Sequence, residues 1–310
     1  KRRADMKLDR LRPWDLAADP KGLPPLKPFD DAQRLEEGCS RIFERVDPWL
    51  GGCFGRMRKL GLLDLANRKG KAPGGYQSTL SEVRLPFIFM NAVGVDGDVR
   101  TLLHEGGHAF HAFESAGQPL LPYRGAPMEF CEVASMSMEL LGFSCLDEFY
   151  QGAELPRARV EFFKDLLTFL PWYATIDQFQ HWVYTHPGHS RAERDRAWQD
   201  VFTRFNPSAN WSGLEPFRRV RWQQQGHLFF APFYYIEYAI AQVGALQVWM
   251  NARRDRPDAI RKYRFALSLG GSRPLPELFA AAGLKFAFDA ETLKPLVDAV
   301  QHELELAQGA

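Results

Sequence analysis

One stretch constrains this chain more than any other: Thr101-Leu-Leu-His104-Glu105-Gly-Gly-His108-Ala-Phe-His111-Ala112. Two histidines four residues apart share one ion only on an α-helix, where positions i and i+4 stand one turn apart on the same face. The stretch therefore demands a helix with one face turned into a site. Glu105 falls a single step round from His104. That places its carboxylate beside the ion rather than on it, where a general base belongs. Gly106 and Gly107 each cost the helix about 1 kcal/mol relative to alanine. Two adjacent glycines therefore imply close approach of another backbone or of a substrate. The pattern reads as a zinc peptidase site with His104 and His108 as metal ligands.

A catalytic zinc site takes three protein ligands and leaves one position for water. The third is sought on the helix expected to start near Pro127, which carries Glu129, Cys131, Glu132, Ser135, Met136 and Glu139. Its three acids lie close to one face, which also holds small and apolar residues. Acids on such a face are costly unless they bind a cation or pair with one another's partners. Glu132, 24 residues after His108, is the expected third ligand. Glu129 is expected to stand behind a zinc-bound imidazole and accept its proton. Cys131 is a rival ligand, because zinc favours thiolate.

Composition excludes several function classes. The 310 residues carry a net charge of +1, with no basic stripe for nucleic acid and no acidic tail. No apolar run approaches the roughly 20 residues that cross a bilayer, so no membrane partner is expected. Cys39, Cys53, Cys131 and Cys145 form no C-x-x-C pair and read as reduced thiols of a cytoplasmic protein. The first residues do not read as a leader. Lys1-Arg-Arg-Ala-Asp5 is already polar and helix-compatible, so the chain reads as a fragment of a longer protein.

The remaining pattern is mainly α, as one domain over 1–310 with a proline-rich, irregular lead-in over 1–30. A helical run is expected over about 31–60. Val83 to Asn91 is a compact apolar run that reads as a small β element. The turn-rich Gly74-Gly75-Tyr76 loop and this β edge can pair with an extended peptide backbone, and a plain hairpin is the equal alternative. Long helices are expected over 157–206, with His186-Pro-Gly-His189 as an exposed turn. His227 precedes Tyr234, Tyr235 and Tyr238 on a helical run. Three phenols and an imidazole can supply O–H and N–H donors to an oxyanion, although aromatic stripes also serve as core. Helices over 277–282 and 290–307 close the chain.

Taken together, His104-Glu-Gly-Gly-His-Ala-Phe-His111, Glu129-Phe-Cys-Glu132-Val-Ala-Ser135, and His227 with Pro232-Phe-Tyr-Tyr-Ile-Glu-Tyr-Ala239 resemble the thimet oligopeptidase and oligoendopeptidase F family of zinc metallopeptidases. Lys69-Gly-Lys-Ala-Pro-Gly-Gly-Tyr76 and Leu269-Gly-Gly-Ser-Arg-Pro-Leu-Pro276 fit the oligoendopeptidase F branch. The resemblance implies a helical zincin-type catalytic domain around a deep channel, a small sheet beside the zinc, one Zn2+ per chain, and short peptides as substrates. By position, His104, His108 and Glu132 match the zinc ligands and Glu105 the base. His227 matches the histidine that helps hold the transition state. Tyr235 and Tyr238 fit the tyrosine role, with Tyr234 a third candidate, because Ile236 stands where some relatives have tyrosine. The family's N-terminal helical domain is absent from this sequence. A fragment, or a channel completed by a partner chain, is therefore expected.

The expected function is zinc-dependent hydrolysis of internal bonds in short peptides, with Glu105 as general base. Two alternatives stand beside it. One is a helical zinc metallocarboxypeptidase in which Arg218, Arg219 or Arg221 holds a free C-terminal carboxylate. The other is a fragment that binds zinc or peptide without turnover. Manganese or cobalt also suit two nitrogens and a carboxylate.

Overall fold

The computed structural model describes residues 2–309. The chain is mainly helical with one small sheet. Its contacts form two compact units, one of residues 26–163 and 240–310, the other of residues 1–25 and 164–239.

The larger unit begins with two helices rather than the single run expected over 31–60. They are Ala32–Val46 and Pro48–Lys59. Asp47 separates them in an extended conformation, and its side chain accepts from the Trp49 and Leu50 amides. Pro48 follows at the first helical position, where its missing N–H costs nothing. The break is a local cap that helical periodicity alone does not reveal.

Three strands follow: β1 (Leu63–Ala66), β2 (Tyr76–Leu80) and β3 (Leu85–Ala92). Their order is β1-β3-β2, with β1 parallel and β2 antiparallel to β3. The apolar run at 83–91 is thus the central strand. Pro86, Ile88 and Met90 alternate into the interior, as a period of two requires. β2 is an edge strand.

The sheet packs on the motif helix, Asp96–Ser115. That helix packs in turn on the glutamate helix, Met128–Gly142. Phe43, Phe54 and Phe110 form a ring cluster under the motif helix, with centroids 4.9 and 4.8 Å from Phe43. All three are fully buried, each contributing about 1.5–3 kcal/mol relative to exposure. Arg256–Ser268, Leu275–Ala281 and Ala290–Gly309 complete this unit.

The smaller unit contains the lead-in as far as Pro25, whose regular elements are the one-turn helices Arg2–Asp5 and Pro13–Leu16. Its helix Arg191–Phe205 starts in a capping box between Ser190 and Glu193. Tyr173, Ile176, Phe179, Trp198, Phe202 and Tyr235 form its core. His186 stacks on Trp182 at 4.7 Å, and its Nδ1 bonds the Trp182 carbonyl. Among the described residues, neither His186 nor His189 joins a metal-ligating group.

Candidate active site

The motif helix starts at a tightly fixed turn. The Asp98 carboxylate accepts from the amides of Val93, Gly94 and Val95 at 2.8, 2.9 and 3.0 Å. A carboxylate in the first turn also suits the positive end of the helix dipole. The turn sets the helix phase, and that phase puts His104 and His108 on one face.

The two imidazoles stand with ring centroids 4.9 Å apart and planes at 83°. Glu132 Oε2 lies 3.2 Å from His104 Nε2 and 3.6 Å from His108 Nε2. One ligand atom from each residue falls within 4.8 Å of the others. The structure therefore brings the three expected ligands to one point. Glu132 is buried, and Ser135 Oγ donates to the same Oε2 at 2.9 Å.

Gly107 makes this approach possible. A Cβ there would lie 2.6 Å from the Ala134 carbonyl oxygen and 2.6 Å from the Ser135 Cα. The glutamate helix thus touches the backbone of the motif helix, as the paired glycines implied. Gly106 faces the other way, and a Cβ there would sit 2.4 Å from the Phe43 ring.

The charges fit a cation. Burial alone would push His104 down. Its hydrogen bonds to Glu132 and Glu139 outweigh that and raise it well above the usual imidazole range. Burial pushes His108 down to about 4. Burial alone would raise Glu132, but the two imidazoles and Ser135 hold it below its ordinary value. The group thus gathers two imidazoles on an ionised carboxylate in a water-poor site. Two nitrogens and one carboxylate oxygen form a donor set suited to zinc.

Glu105 is buried, and burial raises its carboxyl to about 7. The amide of Gln77, on the edge strand, hydrogen-bonds this carboxylate. Glu105 and the strand edge are therefore in direct contact.

The carboxylate behind a ligand is not the expected one. His104 Nδ1 pairs with Glu139 Oε1 at 2.7 Å, whereas His104 makes no pair with Glu129, which is half-buried at the start of the glutamate helix. Glu139 sits seven residues after Glu132. Seven residues bring a helix back to almost the same face, and that spacing was the signal available. Cys131 is half-buried and its Sγ lies 3.6 Å from the Ala126 carbonyl.

The loop before β2 is anchored from several sides. Lys71 Nζ, almost fully buried, donates to the Asp64 side chain and to the carbonyls of Asp64 and Ala66. Asn91 Nδ2 donates to the Ala72 and Gly74 carbonyls at 2.8 and 2.9 Å. Gly74 takes a φ of +100°, a conformation that favours glycine. A Cβ at Gly75 would lie 3.1 Å from Thr101 on the motif helix. Tyr76 stacks on Phe89 at 5.0 Å and 16°. The Gly74-Gly75-Tyr76 loop is therefore held in place.

His227 and the three tyrosines form a second cluster, within the smaller unit. The His227 ring lies 5.6 Å from Tyr234, 5.0 Å from Tyr235 and 6.0 Å from Tyr238. Tyr235 and Tyr238 lie on the helix Tyr235–Arg254, which begins after Tyr234 rather than at it. Burial holds His227 below the usual imidazole range and raises the Tyr235 phenol.

The Peptidase family M3 model matches residues 1–297. The chain belongs to that family. It is 24% identical over 261 residues to an oligoendopeptidase F homolog of Borreliella burgdorferi, covering 79% of this chain. It is 23% identical over 293 residues, or 91% of the chain, to the oligopeptidase PepF of Bacillus subtilis. Among solved structures, PZ peptidase A bound to an inhibitor superimposes with a TM-score of 0.89 at 33% identity, covering 98% of this chain. The chain spans 42% of the length of each of the first two relatives and 54% of the third.

Proposed function

We propose that this chain carries the catalytic centre of a zinc-dependent endopeptidase that cleaves short peptides in the cytoplasm. One observation carries the reading: Glu132 Oε2 lies within 3.2 and 3.6 Å of two imidazole Nε2 atoms, with the buried Glu105 carboxyl one step round the same helix. Family membership and the oligopeptidase relatives support it, and the four free thiols accord with a reducing compartment.

His104, His108 and Glu132 would hold the ion. Zinc there supplies a Lewis acid that lowers the pKa of a water toward about 7. Glu105 would take a proton from the attacking water on its carboxylate and deliver it to the leaving amine. Glu139 holds the His104 ring through Nδ1. His227 and one or two of the tyrosines, with Tyr235 and Tyr238 the first candidates and Tyr234 the third, would donate to the developing oxyanion, each well-placed donor contributing about 3–4 kcal/mol. Among the described residues β2 has no further strand beside its outer edge, and the anchored Gly74-Gly75-Tyr76 loop leads into it. An extended peptide backbone can add to that edge. Glu129, on the turn before Glu132, remains available to polar groups of the substrate or the site.

Nothing favours the carboxypeptidase alternative. Arg218 donates to the Gln199 carbonyl and to Thr203. Arg219 faces Asp195, and Arg221 lies over the Trp172 and Trp211 rings. Each candidate carboxylate-binder already has a local role.

The test is cleavage of a short peptide blocked at both ends. The chain should cut it internally with zinc and stop when the metal is chelated. Glu105→Gln should keep zinc and lose turnover. Normal turnover by Glu105→Gln would sink the mechanism, and inertness toward blocked peptides alone would favour an exopeptidase.

A further inference from the structure

The smaller unit contains a hydrogen-bond chain that ends on His227. Trp172 Nε1 donates to Gln225 Oε1 at 3.2 Å. The Gln225 amide nitrogen Nε2 lies 2.7 Å from His227 Nδ1. The directions of these bonds follow from the chemistry of their ends. An indole N–H is a donor only, so the group facing Trp172 must be the carboxamide oxygen. The carboxamide NH2 then necessarily faces His227, and an NH2 group can only donate. His227 Nδ1 must accept, so it carries no proton. A neutral imidazole with a bare Nδ1 holds its hydrogen on Nε2.

We propose that Trp172 and Gln225 are positioning residues, forming a one-way relay that locks His227 as the Nε2–H tautomer and keeps that N–H as a fixed donor. The function of the relay rests on the reading of His227 as an oxyanion donor. The relay itself is a statement about protons on one ring.

Several features reinforce the lock. Burial holds the His227 imidazole below its usual range, so the neutral form, in which the tautomer matters, prevails at neutral pH. The ring is wedged between Phe230 and Tyr235, with centroids at 5.1 and 5.0 Å. It stacks on Tyr234 at 19°. Trp172 is itself set by edge contacts to Trp198 and Phe202, both buried in the unit's core. An oxyanion donor contributes most when it needs no reorganisation during the reaction, and a tautomer fixed in advance meets that condition.

The test uses the full chain labelled with 15N-histidine. Two-bond proton–nitrogen spectra at pH 8 report which ring nitrogen carries hydrogen, and His227→Gln identifies the signal by its loss. The wild type should show a bare Nδ1 and a protonated Nε2. Gln225→Glu places a carboxylate, which has no hydrogen to donate, against Nδ1, and should draw a proton onto that nitrogen. A wild-type proton on Nδ1, or an unchanged ring spectrum in Gln225→Glu, would overturn the relay. Trp172→Phe keeps an aromatic ring but removes the donor that orients Gln225. It should lower kcat about tenfold with little change in KM, a smaller loss than deleting an oxyanion donor outright. If the spectra behave as stated but Trp172→Phe turns over at the wild-type rate, the relay holds the ring and His227 is not the oxyanion donor.

Discussion

The backbones of Gly107 and Ser135 touch: a Cβ at position 107 would stand 2.6 Å from the Ser135 Cα. This contact brings the helix bearing Glu132 against the helix bearing both histidines. The neighbouring atoms are backbone, so they cannot swing aside. Gly107→Ala should therefore cost about 1–3 kcal/mol by overpacking and should also weaken zinc binding, because the ligands separate. Gly106→Ala meets the Phe43 side chain instead. It should lower stability while leaving zinc affinity near wild type. Urea unfolding with a parallel zinc titration distinguishes the two, and equal zinc affinity in both variants would contradict this role for Gly107.

Glu139 holds His104 from behind at 2.7 Å. Removing its negative charge while keeping its shape, as in Glu139→Gln, should reduce zinc affinity about 10–100-fold. The same change at Glu129 should have a smaller effect, because His104 pairs with Glu139. A competition titration against a chromophoric chelator reads both, and the reverse ranking would return the supporting role to Glu129.

The motif was legible because its chemistry and its periodicity coincide: a shared ion at i and i+4 requires a helix, and Asp96–Ser115 is one. Glu132 was legible because an acid on an apolar helix face needs a partner. Glu139 was visible on the acidic face, but the supporting role was expected of Glu129; the helical return seven residues after Glu132 is the signal that points to Glu139. β3 was readable from its alternation, but β1 and β2 were not. β2 is largely exposed and lacks the apolar alternation that signals a strand. The break at Asp47-Pro48 was likewise hidden, since the apolar spacing continues across it. The boundaries at 163/164 and 239/240 left no linker or shift in composition, because long helices, Glu154–Thr185 and Tyr235–Arg254, run through them, whereas the boundary at 25/26 falls inside the proline-rich lead-in.

The raised carboxyl of Glu105 makes stability depend on pH in the metal-free chain. Its folded value, about 7, lies above the ordinary 4.5. Between these values the folded chain keeps a proton that the unfolded chain releases. Stability should therefore be full below about pH 4.5 and fall as pH rises through about 7, by about 1–3 kcal/mol. Glu105→Gln removes the titration. Metal-free Glu105→Gln should match the wild type at pH 4.5 and melt higher at pH 8. Thermal melts in the presence of chelator check this, and an equal difference in melting temperature at both pH values would contradict it.

The most direct measurement is an X-ray absorption spectrum of the zinc-loaded chain with its metal content determined in parallel. His104, His108 and Glu132 predict one zinc per chain, with nitrogen and oxygen neighbours at about 2.0–2.1 Å, including the scattering pattern of two imidazoles. Glu132→Ala should remove most of the bound metal. A sulfur neighbour at about 2.3 Å would place Cys131 on the metal instead, and retention of zinc by Glu132→Ala would contradict the proposed ligand set.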